Sequence, residues 1–248
     1  MFHTPLYRRY PMKFNSLLSG FIATAFYLFA ANTWAFQVDT LMLAGNEKGN
    51  GMFTVSNSEE ETIYLKAEVL KVVVEHNQIK KIPLNKDNFM LWDLAVNPAK
   101  AILHSGEASN FSVRYLCRRN CDRSHDNVYQ VRFTPVVSPD AENQNKLDIR
   151  FGIAPYYIVP ALKSDVDYDI NFDKQNKRLT VRNTGNTFIK VKIDSCDKFS
   201  MDQKGCRALY YVLAGRSKTI KLSDKLYRES LKVIVGNHDQ SYNETITL

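Results

Sequence analysis

From Phe36 to the C-terminus, apolar residues recur with a period of two, and no stretch holds an amphipathic helical pattern over three or more turns. The clearest case is 62–75, where Ile63, Leu65, Ala67 and Val69 alternate with polar neighbours before Val72-Val73-Val74 and the polar turn His76-Asn77. Segments 36–43, 51–56, 89–96, 101–103, 110–116, 128–137 and 147–160 read the same way. Turn chemistry such as Gly45-Asn46-Glu47-Lys48-Gly49 separates them. Short strands at this spacing predict an immunoglobulin-like sandwich ending near Pro160. A second series, 168–172, 178–183, 187–193, 209–213, 218–222 and 230–235, predicts a smaller sandwich over 161–248. Its turn Asn183-Thr184-Gly185-Asn186 suits a positive backbone angle at the glycine. The expected fold class is all-β, with two immunoglobulin-like sandwiches.

The N-terminus is of another kind. Arg8, Arg9 and Lys13 precede an apolar run over 17–31, and Thr33-Trp34-Ala35 offers the small residues a signal peptidase reads. The run is short and interrupted by Asn15, Ser16, Ser19 and Gly20, which favours a cleaved secretory signal over 1–35 rather than an anchor. The expected domains are therefore the signal peptide, 36–160 and 161–248. The mature chain is expected to be exported, with no integral membrane segment. Without the signal the formal charge falls from +7 to +4, and the remaining basic residues are scattered. Nucleic-acid binding calls for a dense basic stripe with interleaved aromatics, so no nucleic-acid partner is expected.

Four cysteines in an exported chain point to disulfides. Pairing Cys117 with Cys121 and Cys196 with Cys206 is the economical choice among three connectivities. Cys117, Cys121 and His125 could also ligate a metal, but a fourth ligand is missing from the pattern, and the two-residue spacing of thiol oxidoreductases is absent. No metal and no cofactor are expected. Nor does the chain carry GxSxG, HExxH or a dinucleotide fingerprint, and its five histidines lie apart in polar settings. The expectation is a protein that is not an enzyme.

One strand pattern bears on function directly. In 147–160, Leu147, Ile149, Phe151 and Ile153 alternate with Asp148, Arg150, Gly152 and Ala154. Such a row needs an apolar partner, either this protein's own core or another polypeptide.

Several segments, in their order, resemble the periplasmic chaperones of the chaperone-usher pilus pathway. They are Gly51 to Leu65, built around Val55-Ser56-Asn57 and a polar turn, Leu94 to Glu107 running on to Phe111-Ser112-Val113-Arg114, and Val128 to Val137. With 147–160 at the donor-strand position, they are joined by Leu179 to Thr187, the later cysteine pair and Tyr210 to Lys218. The last three are most similar to the alternative class serving common-pilus and colonisation-factor fimbriae, and the resemblance spans the mature chain.

The resemblance implies a boomerang of two sandwiches that binds pilus (fimbrial) subunits in the periplasm and hands them to an outer-membrane usher. A pilin of this kind lacks one strand, and the chaperone lends its own. It implies Leu147, Ile149, Phe151 and Ile153 as the groove-filling residues. Self-association of the unloaded protein is a further expectation. In the P-pilus type an arginine on the first strand and a lysine on the donor strand hold the subunit's C-terminal carboxylate. Here the first of those positions falls on Thr40, and no lysine lies around Pro155. Arg150, Arg132 and Arg114 are the candidate anchors instead. The competing reading is a secreted adhesive or binding module of the same fold.

Overall fold

The computed structural model describes residues 36–116, 122–136, 151–196 and 204–248. The first ten strands are β1 (Phe36–Val38), β2 (Met42–Ala44), β3 (Gly51–Asn57), β4 (Ile63–Glu75), β5 (Gln78–Pro83), β6 (Leu94–Asn97), β7 (Lys100–Leu103), β8 (Ala108–Tyr115), β9 (Asn127–Val136) and β10 (Tyr156–Val159). They form two facing sheets, ordered β1-β3-β8-β6 and β2-β10-β9-β4-β5, with β7 also pairing with β4. Alternation aims Phe53 and Val55 of β3 and Phe111 and Val113 of β8 at Leu65 of β4 and Tyr129, Val131 and Phe133 of β9. Phe133 meets Phe111 and Phe53 edge-on, with ring centres 4.9 and 5.9 Å apart.

Three local features depart from the strand pattern read in the sequence. The expected first strand, 36–43, is split: β1 pairs antiparallel with β3 in one sheet, while β2 pairs parallel with β10 in the other. Thr40 makes the corner, its hydroxyl donating to Met42 O at 3.0 Å and accepting from Met42 N at 3.3 Å. After the His76-Asn77 turn, whose φ angles of 49° and 64° are those of a two-residue hairpin, the chain adds the unanticipated edge strand β5. The expected strand 89–96 begins instead as a 3-10 helix over Lys86–Leu91. The Asn85 side chain accepts from Asp87 N, Asn88 Oδ1 accepts from Asn85 N, and the Trp92 indole donates to Asn85 O. That capped turn leaves Phe89, Met90 and Leu91 exposed.

The remaining strands are β11 (Tyr168–Asp173), β12 (Arg178–Asn183), β13 (Ile189–Asp194), β14 (Arg207–Val212), β15 (Ser217–Lys221), β16 (Lys232–Gly236) and β17 (Asn243–Thr247). They build sheets β11-β12-β15 and β14-β13-β16-β17 around Leu179, Val181, Val191, Ile193, Val233 and Val235. Cys196 and Cys206 form a disulfide with Cα atoms 4.9 Å apart, next to a Ser195 N–H to Cys206 O bond that extends the β13–β14 pairing. Cys117 and Cys121 lie outside the described residues. Gly185 does not take the positive φ expected of it. Its requirement is spatial: a Cβ there would lie 2.4 Å from Asp165 O.

A third apolar cluster joins the two sandwiches, with Val72, Val128 and Ile158 of the first against Phe188 and Leu213 of the second. This explains the continuous apolar run Tyr156 to Val159. Tyr157 and Val159 fill the first sandwich's core, while Ile158 is buried by the second sandwich. Polar clamps flank the cluster. The buried Asp126 carboxylate accepts from Ala161 N at 2.9 Å, Phe188 N at 2.7 Å and Thr187 Oγ1 at 3.0 Å. At the β4–β5 turn, Ser217 N–H donates to Asn77 Oδ1 at 2.7 Å.

Candidate functional site

The stretch 151–155 continues β10 backwards along β9 without forming a regular strand. Ile153 exchanges both main-chain hydrogen bonds with Phe133, at 2.8 and 2.9 Å, and Pro155 O accepts from Val131 N at 3.0 Å. A Cβ on Gly152 would lie 2.9 Å from Phe133 O, so only glycine fits this close approach to β9. The opposite edge first meets a partner at Tyr156, whose N–H donates to Leu41 O at 2.9 Å. Upstream of that point, no strand among the described residues pairs with it. An edge of this kind presents main-chain groups that another chain can join.

Leu147 and Ile149 lie outside the described residues. Phe151 is 80% exposed, an unusual setting for a phenylalanine. Ile153 is half-buried and packs against the first sandwich's own core.

The three candidate arginines are not brought together. Arg150 lies outside the described residues. Arg132, on β9, pairs with Glu68 at 2.9 Å, and Glu68 also holds Lys66 at 2.7 Å. The Lys66 hydrogen bond, helped by Arg132, keeps the Glu68 carboxyl below the usual carboxylate range against partial desolvation. Arg114 is exposed on β8, in the other sheet.

Sequence reasoning did not anticipate the cations of the cleft between the sandwiches. A cavity of about 430 Å³ there is walled by Thr40, by Met42 of β2, by Tyr156 of β10, and by Leu209 and Tyr211 of β14. Arg216 and Lys218 reach its rim from the second sandwich. Both are half-buried, and neither forms an ion pair among the described residues. Lys218 Nζ stands 5.8 Å from the centre of the Tyr210 ring. Burial raises the Tyr156 phenol, and the neighbouring Arg216 charge pulls it partly back. Gly215-Arg216-Ser217-Lys218-Thr219 offers little to find this by, since the cations acquire meaning only when the turn docks on Asn77.

His125 contacts the Asp122 carboxylate at 3.6 Å, and no group of three His, Cys, Asp or Glu side chains able to hold a metal ion occurs among the described residues. No helix among them is long and apolar enough to cross a membrane.

Residues 38–160 match the CS5 fimbrial protein N-terminal domain. An uncharacterized 25.9 kDa protein in the CS5 3′ region of Escherichia coli is 24% identical over 188 residues, which is 75% of this chain and 80% of that protein. The structure of the Salmonella enterica SafA pilin in complex with the SafB chaperone contains a chain similar over 88% of this chain and 99% of its own length. The TM-score is 0.56, at 14% identity. The E. coli chaperone DraB is similar over 87% of this chain and 98% of its own, with a TM-score of 0.54 at 11% identity. Residues 38–160 thus resemble the CS5 fimbrial protein N-terminal domain, and the chain shares its all-β fold with the chaperone DraB and with a chain of the SafA–SafB complex.

Proposed function

We propose that this protein is a periplasmic chaperone that binds pilus (fimbrial) subunits by donor-strand complementation and delivers them to an outer-membrane usher. The observation that carries the reading is the open edge at 151–155, with Phe151 exposed at its start. An extended main chain with one unpaired edge and outward apolar side chains is what a sandwich lacking a strand can take up. Leu147, Ile149, Phe151 and Ile153 are the proposed row. Each side chain fully buried in a subunit groove contributes about 1.5–3 kcal/mol before ordering costs. Ile153 already spends part of its surface on its own sandwich, so the outer residues of the row carry more of the binding. The function needs no catalytic group and no cofactor. The exported, periplasmic location follows from the signal sequence read at 1–35.

Co-purification tests this. A CS5-type fimbrial subunit is co-produced in the periplasm with wild type or with a variant carrying Ile149→Asp and Phe151→Asp. A one-to-one complex with wild type that is lost for the folded variant is the expected result. Equal binding by both proteins, or none by wild type, would sink the proposal and favour a binding module of the same fold.

A further inference from the structure

The far side of the first sandwich carries an apolar turn that its own core leaves uncovered. Phe89, Met90 and Leu91 are consecutive and 59%, 92% and 59% exposed. They occupy the last turn of the 3-10 helix, closed by the Trp92 N–H to Phe89 O bond at 3.1 Å. Behind them the Trp92 ring centre lies 5.4 Å from that of Phe89, and the indole is tied to Asn85 O. The turn is held in a fixed shape while its large apolar side chains stand in water, which is unfavourable. A 3-10 turn takes about three residues, so these side chains point in three directions around its axis. A groove on a folded partner covers one flank of such a turn. A fluid apolar layer encloses all of it.

The charge around the turn selects among such layers. Segment 78–92 holds Lys80, Lys81 and Lys86 against the single acid Asp87. Lys81 and Lys86 are exposed and form no ion pair among the described residues, and Lys80 reaches Glu75 only at 3.7 Å. β5 is the terminal strand of its sheet, and two copies pairing edge to edge there would bring both sets of lysines together. An anionic surface instead takes up these cations, with the lysine stems lying along its apolar boundary. We propose that the Phe89-Met90-Leu91 turn docks the protein on an anionic lipid bilayer, its side chains entering the acyl layer while Lys81 and Lys86 meet the headgroups. β4 and β9 separate β5 from β10 and the open edge at 151–155, so a chain held on a bilayer through this turn keeps that edge free. Bilayer docking does not depend on the chaperone reading; it adds to that reading a place of work at the membrane surface.

Flotation of the exported protein tests this, with vesicles of phosphatidylcholine alone and of equal parts phosphatidylcholine and phosphatidylglycerol. Wild type is expected to float with the anionic vesicles, less with the neutral ones, and to be weakened by salt. Met90→Ser/Leu91→Ser should lower binding to the anionic vesicles about tenfold or more, and Lys81→Glu/Lys86→Glu about tenfold. All four side chains are exposed, so both variants keep the fold. Leu162→Ser, which changes an exposed leucine elsewhere, should leave binding as it is. Trp92 is the one tryptophan beyond the signal sequence, and brominated lipid should quench its fluorescence when wild type binds. Wild type that does not float, or floats equally with neutral vesicles, overturns the proposal. So does flotation that survives Met90→Ser/Leu91→Ser or leaves Trp92 unquenched. An acidic protein captured through the same residues without vesicle binding also overturns it. Each of these results leaves subunit capture by the donor strand standing.

Discussion

The Asp126 carboxylate, on the first sandwich, accepts a hydrogen bond from the Phe188 main chain, on the second, at 2.7 Å. The same carboxylate holds Ala161 N in the connection between them, so one buried side chain fixes three segments. Asp126→Ala would leave two buried N–H groups without acceptors. A loss of about 2–4 kcal/mol in unfolding free energy is expected. Labels placed across the cleft should show a broader distance distribution, and an unchanged distribution would mean that the apolar cluster alone sets the cleft.

The same group gives a pH dependence. Desolvation raises the Asp126 carboxyl above its usual range, opposed by the hydrogen bonds from Ala161, Phe188 and Thr187 and by His238. A folded value above the unfolded one means that the native state binds the proton more tightly. This contribution is therefore full below the ordinary aspartate pKa of about 3.9 and shrinks as pH rises through the raised value. The stability advantage of wild type over Asp126→Asn should be largest in acid and level off toward neutrality. Urea titrations at several pH values would check this, and an advantage that grows with pH would reverse the sign.

How much of this was legible in the sequence differs from element to element. Strands with a strict period of two, such as β4 and β9, could be read directly because each has one face on a core. β5 could not, since Ile79 and Ile82 are three apart and the rest of the strand is polar edge. β17, Asn243 to Thr247, offers one half-buried isoleucine and nothing else. Phe89, Met90 and Leu91 misled in the other direction, because the Asn85 cap outweighs their β propensity. The first two arms of the candidate site, the alternating row and the family motifs, are local. The cleft is not: Arg216 and Lys218 meet Thr40 and Tyr156 only through the packing of two sandwiches.

The Cys196–Cys206 disulfide spans a sequence separation of 10 beside the β13–β14 pair. Closing a loop of that size restricts the unfolded chain by about 2–4 kcal/mol. The variant with both cysteines changed to Ala should lose stability in that range. A calorimetric scan should show the loss in the second sandwich, and a wild type equally stable in reductant would contradict it.

Tyr157 reaches across the first sandwich to donate its hydroxyl to Gly49 O at 2.7 Å, and burial pushes its phenol well up. Gly49 itself has a φ of 76°, and a Cβ there would lie 2.9 Å from Tyr115 and Val159 side-chain atoms. Tyr157→Phe should cost about 1–2 kcal/mol by leaving the carbonyl without its donor. Gly49→Ala should cost more than the tyrosine change, since strain and overlap add. Denaturant midpoints at constant m-value would rank the two, and the reverse order would show that the turn relaxes freely.

Phe151 and Ile153 lie on the same strand parity, yet one faces solvent and the other packs on the first sandwich's core. That difference separates binding from folding. Phe151→Asp removes no contact with a core, so unfolding free energy should change by no more than about 0.5 kcal/mol. Under the donor-strand reading, the same change puts a charge into the subunit groove and should abolish capture. Ile153→Asp introduces a charge at a half-buried site and should destabilise the protein itself by about 2 kcal/mol or more. Measuring stability and pilin capture for both variants gives four values. The donor-strand reading requires Phe151→Asp to be stable and inactive in capture, and a variant that is stable and fully active would remove Phe151 from the row.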